Sequence, residues 1–143
     1  MVELSCTYVI APREPMRVEL LFSHDPISFF GGVNAADGRV QDYRHGNYKH
    51  SMTDKAFAFP FGKGSSGAGL VLMEMARLKT APAAIINIRT DPVILTGPLI
   101  SKHFHDQLLP VINLSLEDYT RLEGMKTIEL FPIGNTLRAF SES

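Results

Sequence analysis

The stretch Gly62-Lys63-Gly64-Ser65-Ser66-Gly67-Ala68-Gly69 holds the residues of this chain best suited to chemistry: two adjacent hydroxyls, a lysine and several glycines. It follows Ala56-Phe57-Ala58-Phe59, which reads as a buried strand, and opens a helix predicted from about Ser66 to Leu78. A loop between a strand and a helix N-terminus presents free backbone N–H groups and the positive end of the helix dipole. It therefore suits a carboxylate, a phosphate or a developing oxyanion. The glycines let a ligand approach the backbone, and either serine can react or cap the helix. A turn in which Ser65 or Ser66 merely caps is the plainer reading, and the residues alone leave both open. Gly31-Gly32, after Ile27-Ser28-Phe29-Phe30, marks a second sharp bend or close approach of a ligand.

Spacing removes two phosphate motifs. The Walker pattern needs its lysine after the last glycine, whereas Lys63 precedes Gly64. Gly62, Gly64 and Gly67 do match G-x-G-x-x-G, with Asp91 at a distance suited to a ribose. Only about 80 residues remain from there, too few for a two-lobed dinucleotide fold.

His45 and His50, with Arg44 and Lys49, fall in the polar run Asp42 to Met52, read as an exposed loop. His103 and His105 read as surface residues, because no acidic or cysteine cluster accompanies them. His24 and Cys6 read as structural, and Phe29 and Phe30 as core. Cys6 is the only cysteine, so the chain forms no internal disulfide and anchors no metal cluster by itself.

Around the loop, Leu4 to Ile10 and Arg17 to Phe22 read as strands parted by Pro12-Arg13-Glu14-Pro15, and Asp37-Gly38 as a turn. Ala84 to Ile88 and Val111 to Leu114 read as strands, Val93 to Phe104 as a helix, and Ser115 as the N-cap of a short helix over Leu116 to Leu122. The β-α-β-α-β order predicts parallel pairing with right-handed crossovers. Thr127 to Phe131 and Thr136 to Phe140 read as a closing hairpin around Gly134-Asn135. The predicted class is α/β, in layers of sheet, sheet and helix. The helix after the glycine loop is apolar nearly all round, which predicts burial on more than one side.

With 143 residues, 45% apolar and 20% charged, residues 1–143 read as a single domain. A formal charge of -1 gives no field for gripping nucleic acid. The N-terminus has no signal-peptide pattern and the chain has no long apolar run, which points to the cytoplasm rather than a membrane.

Four stretches, Ile27-Ser28-Phe29-Phe30-Gly31-Gly32-Val33-Asn34, Phe59-Pro60-Phe61-Gly62-Lys63-Gly64-Ser65-Ser66, Thr80-Ala81-Pro82-Ala83-Ala84-Ile85-Ile86 and Asp91-Pro92-Val93-Ile94, occur in a telling order and spacing. Together they resemble the small subunit, or swivel domain, of the aconitase X type of dehydratase, from about Leu4 to Pro132. The resemblance implies a swivelling β/β/α domain that closes over a large subunit, as a heterodimer or higher assembly, and is inactive alone. It places iron or an iron-sulfur cluster on the large subunit and no cofactor on this chain. It implies Ser65 as the base that removes a proton beside a carboxylate, with Gly64, Ser66, Gly67, Lys63, Gly32 and His45 as substrate contacts. The family's reactions are dehydration of cis-3-hydroxy-L-proline, which we favour on sequence, and of mevalonate 5-phosphate. Some positions depart from the pattern: Phe61 stands where a glycine is usual, Asn34 where aspartate is frequent, and Lys63 replaces a frequent arginine, losing its planar fork. A non-catalytic anion-binding or regulatory module is the competing class, and a nucleotide-binding oxidoreductase the third.

Overall fold

Alternating side chains set the layering of this chain. Ala56 and Ala58 face one apolar cluster while Phe57 and Phe59 face another, and Ile86 and Ile85 divide in the same way. Neighbouring residues of a strand point to opposite faces, so these strands are covered on both. The computed structural model describes residues 1–63, 68–90 and 108–142. In chain order the elements are β1 (Val2–Ser5), β2 (Thr7–Ile10), β3 (Met16–Phe22), a broken turn α1 (Phe29–Gly32), β4 (Val33–Asn34) and β5 (Arg39–Val40). They continue with β6 (Ala56–Ala58), α2 (Ala68–Leu78), β7 (Ala84–Asn87), β8 (Val111–Asn113), α3 (Leu116–Thr120), β9 (Thr127–Leu130) and β10 (Thr136–Phe140).

Among the described residues one sheet runs β1-β10-β9-β3-β6-β7-β8-β2, and β4-β5 form a separate pair. The two ends of the large sheet are consecutive in sequence, parted by Cys6 alone, so the sheet closes on itself there. Cys6 N–H donates to the Asn135 carbonyl at 2.8 Å across that corner. β3 forms the other corner: Met16 to Glu19 pair antiparallel with β9, and Leu20 to Phe22 parallel with β6. Strands that switch layers at a corner are how two packed sheets share one hydrogen-bond ladder.

Leu4, Ile128, Leu130, Leu137 and Ala139 of the antiparallel layer meet Ala56, Ala58, Ala84, Ile86 and Ile112 of the parallel one. On the far face of the parallel layer, Leu72 and Met75 of α2 cover Phe57, Phe59, Ile85 and Val111. Phe29, Phe57 and Phe59 meet edge-on or tilted, with centroids 5.0 to 6.3 Å apart. Such pairs add about 0.5–1.5 kcal/mol each to the burial of the rings. The layers are sheet, sheet and helix, and β6, β7 and β8 run parallel, as the sequence predicts; β3 adds a further parallel strand beyond the β-α-β-α-β unit.

The Ser115 cap forms, with its Oγ accepting from Asp118 N–H at 3.1 Å, and β9-β10 close the hairpin. The helix expected over Val93 to Phe104 lies outside the described residues, as do His103 and His105. Three expectations fail. Leu4 to Ile10 is not one strand, because its two halves pair with β10 and β8 on different layers. Phe30 is 63% exposed, because the chain turns at Gly31, φ +92, just after Phe29 has entered the core. The run from Asp42 to Met52 is not simply a solvated loop, for His45 and Met52 are buried within it.

Candidate functional site

The segment that leads into the glycine-serine loop is held on both flanks. Beyond β6, Gly62 forms a parallel bridge with Ile27, where Ile27 N–H donates to the Phe61 carbonyl at 3.4 Å and Lys63 N–H to the Ile27 carbonyl at 2.9 Å. On the other side Ile88 N–H donates to the Pro60 carbonyl at 3.0 Å. Pro60 to Lys63 thus continues the parallel ladder past β6, at the carboxyl ends of the strands, where open α/β sheets place ligands. This contact also explains why the Ile27 motif accompanies the glycine-serine motif: one frames the other.

The described chain resumes at Ala68, the first residue of α2, and the first turn of that helix carries no acidic residue to compete with an anion. The C-terminus of α2 is anchored. Lys79 takes the left-handed conformation at φ +62, Thr80 N–H donates to the Met75 carbonyl at 2.9 Å and Lys79 N–H to the Ala76 carbonyl at 3.2 Å. This is a Schellman cap with lysine in the position that glycine usually fills. Thr80 Oγ1 then donates to the Ala35 carbonyl at 2.6 Å, tying the helix end to the β4-β5 pair. The threonine of the third motif therefore fixes the helix that follows the loop.

Of the sequence-predicted site residues, Gly64, Ser65, Ser66 and Gly67 lie outside the described residues. Lys63 is exposed beside them in sequence. The Asp42 carboxyl is held below the usual carboxylate range, first by the Arg44 backbone N–H, then by the Arg44 side chain and the charge of Lys63. Gly32 is buried, and its carbonyl accepts from Gln41 N–H at 2.9 Å. A Cβ there would sit in ordinary contact with Ile27 Cγ1 at 3.5 Å, so packing does not demand glycine.

His45 is pinned rather than presented. Its Nδ1 accepts from Asn47 N–H at 3.0 Å, which leaves the proton on Nε2, 3.2 Å from the Asp25 carbonyl. Asp25 Oδ2 accepts from Gly46 N–H at 2.9 Å, and Asn47 Nδ2 donates to the Phe22 carbonyl at 2.9 Å. Both ring nitrogens are committed to holding the run against the end of β3, so neither is left for a substrate.

Two features were missed in the sequence. Asn87 and Asn113 are register partners at the ends of β7 and β8, and Asn113 Nδ2 donates to Asn87 Oδ1 and to Thr90 Oγ1, both at 2.7 Å. Thr90 Oγ1 donates to Asn87 Oδ1 at 2.8 Å, while Asn87 Nδ2 is buried without a partner among the described residues. The signal was two apolar strands that each end in asparagine. Arg89, between these residues, lays its guanidinium over the Phe61 ring, 4.8 Å from the centroid.

No three His, Cys, Asp or Glu side chains among the described residues group to hold a metal. Cys6 is buried, and burial pushes its thiol up to about 11, away from the thiolate a metal needs. These residues do not fit an iron or iron-sulfur centre. No helix among the described residues is long and apolar enough to cross a membrane.

Residues 5–137 match the aconitase X swivel domain family. The phosphomevalonate dehydratase small subunit of Methanothermobacter thermautotrophicus is 35% identical over 116 residues, covering 81% of this chain and 82% of that one. Its counterpart in Methanosarcina mazei is 36% identical over 100 residues, 70% of this chain and 65% of that one. Among solved structures, Thermococcus kodakaraensis aconitase X in its holo form is similar with a TM-score of 0.83 at 25% identity, covering 98% of this chain and 99% of that one.

Proposed function

Because this chain belongs to the aconitase X swivel domain family, we propose that it is the small subunit of a hydro-lyase whose large subunit completes the active site, with Ser65 of this chain as the base. The observation that carries this reading is the clamped segment Pro60 to Lys63, which leads from the carboxyl edge of the parallel layer toward α2. The substrate we propose is phosphomevalonate, the compound in the relatives' names. The cis-3-hydroxy-L-proline favoured on sequence gains no support from those names. Iron or an iron-sulfur cluster belongs to the large subunit in this scheme, and the enzyme works in the cytoplasm.

In the reaction Ser65 Oγ takes the proton from the carbon beside the carboxylate and later returns it to solvent, the C–O bond on the next carbon breaks, its hydroxyl leaves as water by taking up a proton from solvent, and a double bond forms between the two carbons. A serine hydroxyl is far too weak an acid to be ionised freely near neutral pH, so the base needs a local positive field. Lys63 is its neighbour two residues back, and the N-terminal end of α2 adds its dipole.

The test is Ser65→Ala in the assembled two-subunit enzyme, assayed by phosphomevalonate turnover alongside size-exclusion chromatography. Losing the general base lowers kcat by about 10²–10⁴-fold while the subunits still co-elute. A change of less than about threefold would make this chain an anion-binding module instead.

A further inference from the structure

Phe61 and Lys63, the two departures from the family pattern around the loop, acquire a joint meaning from Arg89. Arg89 sits between two tethered neighbours: Ile88 N–H is bonded to the Pro60 carbonyl, and Thr90 Oγ1 to Asn87 Oδ1. The backbone carrying Arg89 is therefore fixed beside Phe61, and the aromatic ring holds the guanidinium by its face. That leaves the in-plane N–H fork free, and Arg89 is exposed with no ion pair among the described residues. Lys63, also exposed, follows Phe61 by two residues on the same clamped segment. A point charge and a planar fork are thus both carried at the carboxyl edge of the parallel layer, one on each side of Phe61 in this connection. Asp42, the carboxyl that feels the charge of Lys63, is already engaged by Arg44.

A phosphate monoester carries about -1.5 to -2 charges at neutral pH and accepts two parallel N–H bonds from an arginine fork. A zwitterionic hydroxyproline offers an arginine fork only its singly charged carboxylate, the group beside the abstracted proton, and has no second anion for this edge.

We propose that Arg89, braced on the Phe61 ring beside Lys63, binds the phosphate group of the substrate and sets the enzyme's preference for a phosphorylated hydroxy acid. This rests on the hydro-lyase reading above, and it supplies at position 89 the planar fork that Lys63 lacks.

The experiment compares wild-type, R89Q, R89K and F61L small subunits, each assembled with the large subunit, by phosphomevalonate kinetics, competitive inhibition by inorganic phosphate and phosphate calorimetry. R89Q raises KM and the phosphate inhibition constant together, by about 10- to 100-fold, with kcat within about threefold, because ground-state and transition-state binding fall alike. R89K falls between the two, keeping charge without the fork. F61L weakens phosphate by a smaller factor, since the side chain stays and only its platform goes. Unchanged KM and phosphate inhibition in R89Q would overturn the proposal. So would loss of assembly in R89Q and R89K alike, which would make Arg89 a subunit contact. If the wild-type complex fails to turn over phosphomevalonate, the functional reading falls by itself. Calorimetry then still decides Arg89: phosphate bound by wild type and released in R89Q upholds the anion site, and no binding by wild type ends it.

Discussion

Replacing Gly38 with alanine tests how the helix behind the loop is anchored. Gly38 lies in the turn between β4 and β5 at φ +72, with its N–H bonded to the Asn34 carbonyl at 2.8 Å and its carbonyl accepting from Met52 N–H at 2.9 Å. A Cβ at this position would collide with Thr53 Oγ1 and lie 2.7 Å from the Thr80 carbonyl oxygen. Thr53 can rotate away only by giving up its own bond to that carbonyl, 2.9 Å long. The Thr80 backbone cannot move without disturbing the cap of α2. Left-handed backbone costs alanine about 1–2 kcal/mol, the lost hydrogen bond about 1 kcal/mol, and overpacking about 1–3 kcal/mol. Together G38A should lose about 3–6 kcal/mol, a large share of the stability of a domain this size. The control is G124A, where φ is +83 and nothing lies within 4 Å of an added Cβ, so that backbone strain acts alone. Urea denaturation followed by circular dichroism gives both values in one experiment. If G38A is no more than about 1 kcal/mol worse than G124A, the crowding at Thr80 does not exist and the anchoring argument fails.

Three further outcomes follow from the closed sheet. With its thiol raised from 9.0 to about 11 by burial, Cys6 holds about a hundredfold less thiolate at pH 8 than an ordinary cysteine, so alkylation by iodoacetamide in the folded chain is slower by about that factor. The same shift means that stability is intact below pH 9 and falls as the pH rises toward 11, where only the unfolded thiol ionises; C6A should lose that part of the alkaline decline. Tyr8 donates to the Thr136 carbonyl at 2.6 Å and accepts from Phe131 N–H at 3.0 Å, binding β2 to the far hairpin. Tyr8→Phe strands both partners and costs about 1–3 kcal/mol in denaturant unfolding, with faster amide exchange at Phe131; unchanged exchange there would show that the hydroxyl is not the latch.

What the sequence reveals is what neighbours along the chain decide. The alternation in Ala56-Phe57-Ala58-Phe59 gives the two faces of β6, and Ser115 caps α3 through a partner three residues away. What it hides depends on partners far off. The break at Cys6 exists because Leu4 and Ile10 belong to strands paired on different layers, a fact with no local trace. His45 is buried by the Asp25 carbonyl, a backbone atom twenty positions earlier that no side-chain pattern reveals. Phe29 and Phe30 look alike in composition, and only the turn at Gly31 sends one inward and the other to the surface. Among site residues, the glycine-serine motif and Lys63 could be read directly. Arg89 could not, since its relation to Phe61 comes from the pairing of Ile88 with Pro60 across the parallel layer.

The corner at Cys6 also governs when this chain can finish folding. β1 pairs with β10, so Val2 waits for Ala139 and Leu4 for Leu137. During synthesis β1 leaves the ribosome long before its partner β10, and β2 cannot settle until β8 has emerged. Until then a nascent chain carries an unsealed ladder with open strand edges, a state prone to pairing with its neighbours. The slow, long-range closure expected of such a topology makes β1 the final stitch.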